Sequence, residues 1–233
     1  MLLRLTLGIL ALIICFIIPI FFYELLEFLV AKLSAGWVFS SIFIRFLVII
    51  FFAIALSFIF SAFEKTKRIK FWIIFLIALI PGFGISFIEP IYETDYGYFQ
   101  HNDPPAVNLN ELATNTNNAF KFSNELQIIC FFTSTCPHCM VTSHKLGMNI
   151  AGGQNIDVTV FFPSTKEDRE RFINDNNGAA FNSYSIDQEV FLTNAGNTFP
   201  ATFLVNKNGE TINFWSGDQL SFSTLDYFLG LAQ

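Results

Sequence analysis

The chain has 233 residues, 53% hydrophobic and only 14% charged, with 31 Phe; an ordinary soluble domain carries about 25% charge. That composition excludes a disordered chain and a simple soluble enzyme. The net charge of −6 gives no basic surface for nucleic acid, and four cysteines are too few for a disulfide-stapled miniprotein.

The average conceals two unlike halves. Residues 1–88 hold seven Lys/Arg and three Glu, a net +4, and residues 89–233 hold six Lys/Arg and sixteen Asp/Glu, a net −10. The first half reads as membrane material and the second as an acidic domain large enough for one core.

Three uncharged runs of 18 residues, 5–22, 46–63 and 71–88, predict three transmembrane α-helices. Each would extend about 27 Å. Pro81 and Gly82 interrupt the third, as a kink that a membrane helix tolerates. Arg45 is expected to cap the second helix, with Trp37 at the interface; inside a longer helix it would mark function. Lys65, Lys67, Arg68 and Lys70 crowd the loop before the third run, and the positive-inside rule assigns that loop to the cytoplasm. The N-terminus is then cytoplasmic, and everything after residue 88 lies outside. The first run has no small-residue cleavage site that would make it a signal peptide. Cys15 has no partner cysteine in the other runs, so the helices are read as an anchor in lipid or a dock for a partner, not as electron carriers.

Residues 89–119, rich in Tyr, Asn, Asp and Pro, read as a linker. Regular structure follows over 120–233. Strands are predicted at 126–133 and 156–162 and helices at 136–147 and 164–176, the latter opened by a capping box, Ser164-Thr-Lys-Glu167. Residues 201–205 and 211–215 flank Lys207-Asn-Gly209 as a hairpin, and an amphipathic helix closes the chain at 219–232. His101 and His144 read as exposed residues without visible partners.

Cys136-Pro137-His138-Cys139 falls at a strand-to-helix turn. The first cysteine would sit at a helix N-terminus, where free N–H groups favour a thiolate, with Pro137 in the first turn. The second, one turn on, can close a disulfide or resolve a mixed one. His138 is placed to stabilise the Cys136 thiolate. Half a zinc site and a structural disulfide are rival readings. The first lacks a second ligand pair, and the second would close a loop too short to remove much unfolded-state entropy. No metal site is assigned.

Residues 120–233 resemble a thioredoxin-fold domain, and Cys136-Pro-His-Cys139 is similar to the active site of DsbA-type periplasmic disulfide oxidases. The stretch from Phe199 and Pro200 to Gly209 resembles that family's second signature. The resemblance implies a central mixed sheet flanked by helices, a cis Pro200 facing the dithiol, and a Phe199 backbone that pairs with extended substrate. No large helical insertion is apparent, so the layout is closer to tethered bacterial thioredoxin-like proteins. Such a chain would be a multi-pass protein of the bacterial inner membrane. It would be a thiol:disulfide oxidoreductase acting outside the cytoplasm on cysteine-containing exported proteins. A membrane or periplasmic redox partner would serve it, with no cofactor beyond the dithiol. The alternative is a tethered module that holds Cu(I) or a client without turnover. One departure stands out: thioredoxins often place a carboxylate six residues before the first active-site cysteine, and here that position is Cys130. It reads as a small buried apolar residue, leaving water or His138 to assist release.

Overall fold

The structure, a computed structural model, describes residues 2–63, 68–88, 93–97, 105–123, 125–153 and 157–231. It divides into two compact units, Met1–Tyr92 and Glu93–Gln233.

The first unit is helical. It comprises α1 (Leu2–Ile20), α2 (Phe22–Glu27) running into a π-helical turn Phe28–Lys32, α3 (Trp37–Phe63) and α4 (Arg68–Ile85). Glycine permits the close approaches. A Cβ at Gly8 would stand 2.7 Å from Ile59 Cγ1 and 3.0 Å from the Ala55 carbonyl, and one at Gly82 would stand 3.1 Å from the Ile49 carbonyl. Arg4 Nη1 donates to the Ser61 carbonyl (3.4 Å), and Cys15 Sγ to that of Val48 (3.6 Å). Rising positions on α1 thus meet falling positions on α3, so the two run antiparallel. Gly82 against Ile49 and Phe71 against Phe58 (5.6 Å between rings) set α4 antiparallel to α3 in the same way.

Three sequence expectations change here. Among the described residues α1 and α3, with 19 and 27 residues, are the two candidate membrane spans by length and apolarity. The third predicted run, 71–88, is apolar helix over Phe71–Ile85, within the 18-residue α4, which extends about 27 Å at 1.5 Å per residue. Past Ile85 the winding tightens into turns, with the Ser86, Phe87 and Ile88 N–H groups bonding the Phe83, Gly84 and Ile85 carbonyls. Secondly, α3 begins at Trp37, so Arg45 lies within it and caps nothing. Arg45 is 8% exposed and Trp37 1%, which removes Trp37 from any interface. The charge is tolerated because Nη1 donates to the Ser86 carbonyl at 2.7 Å and the guanidinium lies over the Phe22 and Phe87 rings at 5.0 and 5.8 Å. Thirdly, helical structure continues from Phe22 to Lys32, beyond the end of the first uncharged run. Lys65, Lys67 and His101 lie outside the described residues.

In the second unit α5 (Glu93–Tyr96) and α6 (Leu109–Asn115) precede β1 (Gln127–Phe131), α7 (Pro137–Ala151), β2 (Asp157–Phe162), α8 (Lys166–Asp175), β3 (Asn182–Ser185), α9 (Gln188–Ala195), β4 (Ala201–Val205), β5 (Thr211–Ser216) and α10 (Phe222–Leu231). The sheet order is β3-β2-β1-β4-β5. β1, β2 and β3 run parallel to one another, while β4 is antiparallel to both β1 and β5. This mixed sheet with flanking helices is a thioredoxin-like fold. Alternation along β1 divides the core. Ile129 and Phe131 face a cluster with Phe161, Phe203, Leu112 of α6 and Phe191 of α9. Phe132 packs on Phe162 and Phe172 of α8 (ring centroids 6.1 and 5.8 Å) on the other face. Each such ring taken fully from water contributes about 1.5–3 kcal/mol.

The span expected as linker carries α6, capped by Asn108 Oδ1 accepting from the Glu111 N–H (3.2 Å), with Leu112 fully buried. The cap of α8 is Thr165 and not Ser164: its Oγ1 accepts from the Asp168 N–H (3.3 Å) and donates to the Asp168 carboxylate (3.0 Å). Neither β3 nor α9 was expected. β3 is the polar edge strand Asn-Ser-Tyr-Ser, defined by its register on β2 and by no apolar pattern.

Candidate active site

The site forms where two strands end side by side. Phe131, last in β1, is paired with Ala201, first in β4, so the chain leaving β1 and the chain entering β4 meet beyond that pair. After Phe132 the backbone turns, and the Cys136 N–H bonds the Thr133 carbonyl at 3.2 Å. Cys136 is the N-cap of α7, with extended backbone angles (φ −84°, ψ 115°), and its Sγ accepts from the Cys139 N–H at 3.2 Å. Pro137 occupies the first turn, where it leaves no helical hydrogen bond unmade. On the facing segment the Phe199–Pro200 peptide is cis, and the Phe199 carbonyl accepts from Cys136 Sγ at 3.8 Å. Pro200 is buried, its carbonyl held by the Gly217 N–H at 2.8 Å. The Phe199 ring rests 5.1 Å from that of Phe191.

Five of the six predicted residues therefore converge: Cys136, Pro137, Cys139, Phe199 and Pro200. His138 lies in the same turn but is exposed, and among the described residues no hydrogen bond joins it to Cys136. His144, expected to stand alone, shares a 2.7 Å hydrogen bond with the Asn177 side chain.

The two thiols differ sharply in surroundings. Cys139 is fully buried, whereas Cys136 is partly open to solvent. Burial raises the Cys139 thiol well above the ordinary cysteine value, and the neighbouring Cys136 and Cys130 sulfurs push it further in the same direction. The Thr133 backbone opposes them only in part. Cys130, on the same face of β1 as Phe132, is also fully buried, which pushes its thiol up to about 12; the Thr202 hydroxyl, at 3.8 Å, works weakly against this. The sequence reading missed Thr202. The period of two along paired strands would have found it, because Cys130 and Thr202 are direct partners across β1 and β4. Among the described residues no three His, Cys, Asp or Glu side chains gather to hold a metal ion.

Chemically, the arrangement presents one accessible sulfur with an N–H directed at it. A second, protonated sulfur lies one helical turn away, and a carbonyl edge sits beside the first, able to pair with an extended strand.

No protein-family model matches the chain, and no curated protein matches it. Among solved structures, the chain is similar to a secreted disulfide oxidoreductase of Mycobacterium tuberculosis described as homologous to E. coli DsbE. That likeness has 15% identity and covers 46% of this chain and 82% of the other, with a TM-score of 0.40. It is also similar to a thioredoxin-like protein from Aeropyrum pernix (14% identity, 48% and 80% covered, TM-score 0.41) and to StoA from Bacillus subtilis (18%, 46% and 84%, TM-score 0.37). Likeness at this level of identity is one of fold.

Proposed function

We propose that the chain is a membrane-anchored thiol:disulfide oxidoreductase, its dithiol facing the extracytoplasmic side and acting on cysteine-containing exported proteins. The observation that carries the proposal is the Cys136 Sγ itself: a partly exposed N-cap sulfur, 3.2 Å from the Cys139 N–H and 3.8 Å from the Phe199 carbonyl. The Cys136 thiolate attacks one sulfur of a client disulfide. A mixed disulfide forms, and the client's other sulfur leaves as a thiolate that takes up a proton. Cys139 then loses its proton and attacks Cys136 Sγ. The client departs fully reduced, and the Cys136–Cys139 disulfide holds the two electrons' worth of oxidation. The reverse sequence donates a disulfide, and the potential of the pair decides the direction.

The anchoring part of the proposal is supported by the outer surface of the first unit, where Ile20, Phe63 and Ile80 are each more than 70% exposed. An apolar exterior of that kind suits lipid. With α4 as a third crossing, the basic residues around 65–70 on the cytoplasmic side would place Cys136 and Cys139 outside the cytoplasm.

The test is equilibration of the full chain in detergent against glutathione buffers. A reversible Cys136–Cys139 disulfide is expected; a potential near about −120 mV makes the chain a disulfide donor, and one near about −270 mV a reductase. Failure of the pair to form a reversible disulfide would sink the proposal. The Cys136→Ser variant is expected to abolish exchange, and Cys139→Ser to accumulate the mixed disulfide.

A further inference from the structure

A groove of about 300 Å³ opens beside the dithiol, between the loop that precedes α7 and the helix α8. Thr135, adjacent to Cys136, forms part of one wall, and Met140, one turn beyond it on α7, another part. Phe172 lies beneath, 3% exposed. Asp168, Arg171 and Asp175, all on α8, line the opposite side.

The charges on that side do not balance. Asp168 is engaged twice, by the Thr165 hydroxyl at 3.0 Å and by Arg171 at 3.9 Å. Asp175 is the last residue of α8, and the helix has no basic residue in its last turn. Among the described residues Asp175 has no ion-pair or hydrogen-bond partner. A carboxylate at a helix C-terminus adds its charge to the negative end of the macrodipole and so opposes folding. The mismatch sits at the end of a groove that starts one residue from the accessible thiol, and a cation entering that groove would relieve it.

We infer that this groove receives a basic side chain, Lys or Arg, from the client segment flanking the cysteine that reacts with Cys136. The methylene stem of such a side chain would lie along Met140 and Phe172, and its charge would meet Asp175. The inference rests on the exchange chemistry proposed above and adds a preference among clients.

The test uses the reduced full chain in detergent, recycled by dithiothreitol, acting on two peptides that differ only in carrying Lys or Glu beside one cysteine of a small disulfide loop. The Lys peptide is expected to be reduced with a kcat/KM higher by roughly threefold to fivefold, the range of a partly exposed ion pair. Asp175→Lys is expected to invert that order, a result that misfolding would not produce. Glu189→Gln, which removes a charge on α9 across the sheet, is expected to leave the ratio unchanged. Equal rates for the two peptides with the wild-type chain, or the same ratio in Asp175→Lys, overturn the inference while the exchange chemistry stands. If neither peptide is reduced, the exchange chemistry fails and takes the inference with it.

Discussion

Cys136 and Cys139 are three residues apart and occupy different media. The first lies at the surface with a peptide N–H aimed at its sulfur, and the second has no solvent exposure and a thiol that resists ionisation. Alkylation should separate them. With iodoacetamide at pH 8, Cys136 is expected to react at least about tenfold faster than Cys139 or Cys130, because rate follows thiolate fraction and access. Peptide mapping by mass spectrometry reads this, and comparable modification of the three would contradict the placement. Cys130 adds a pH effect whose sign follows from its burial. In the unfolded chain the thiol ionises near 9.0, whereas in the folded chain it holds its proton to about 12. Below pH 9 both states are protonated and the thiol contributes no pH dependence. Between 9 and about 12 unfolding releases a proton, so stability falls as pH rises, by up to about 1.4 kcal/mol per pH unit. Thermal unfolding of the reduced chain at pH 8 and pH 10 should therefore show a smaller drop in Cys130→Ala than in wild type. An equal drop would mean that Cys130 does not stay protonated in the fold.

At the scale of elements, α7 carries the site, and its position depends on one glycine. A Cβ at Gly147 would lie 2.2 Å from the Asn177 carbonyl oxygen, a backbone atom that cannot rotate away. Gly147→Ala should accordingly destabilise the domain by about 1–3 kcal/mol through overpacking, measured as a lower unfolding midpoint; an unchanged midpoint would show that α7 shifts freely. A hydrogen bond joins the same surfaces: Ser143 Oγ on α7 donates to the Asn176 carbonyl at 2.8 Å, linking the helix that bears Cys139 to the segment next to Asp175. How legible each element was in the sequence depended on where its information lay. β1, β2 and β4 are apolar and β-branched or aromatic, and their extents fall within a few residues of the runs that predicted them. The turn at Gly209 was visible as Lys-Asn-Gly, and its φ of +83° is the reason glycine stands there. The dithiol, its cap position and the facing Phe199-Pro200 were all legible, because chemistry confines them to a few residue types at fixed spacing. β3 and α9 were not. A four-residue polar edge strand exists only through its pairing with β2, and an eight-residue helix ended by Gly196 carries too little period to register. The groove at α8 was hidden for a different reason: it is made by two segments some forty residues apart that only the fold brings together.

At the scale of the whole molecule, charge and apolarity are divided between the two units. The unit Met1–Tyr92 presents large apolar side chains on its exterior, while the region after residue 88 carries the net −10. The third uncharged run and its helix differ in extent, because the length of a run says nothing about where its helix starts and stops. Among the described residues α1 and α3 are the two candidate spans, while α4 begins before the third run and ends three residues short of its end. Arg45 was misplaced for a related reason: a charge ends an uncharged run on paper, yet the Ser86 carbonyl and two aromatic faces accommodate it inside α3. The sidedness of the proposal remains open to a direct measurement. In spheroplasts of a bacterial host expressing the chain, a membrane-impermeant maleimide is expected to label Cys136. A cysteine placed at Thr66, in the basic stretch, is expected to react only after permeabilisation. Cys15, Cys130 and Cys139 are buried and do not compete at short times. The reverse pattern would put the dithiol in the cytoplasm, where glutathione and thioredoxin keep thiols reduced. A role on exported proteins would then be untenable even if the exchange chemistry held.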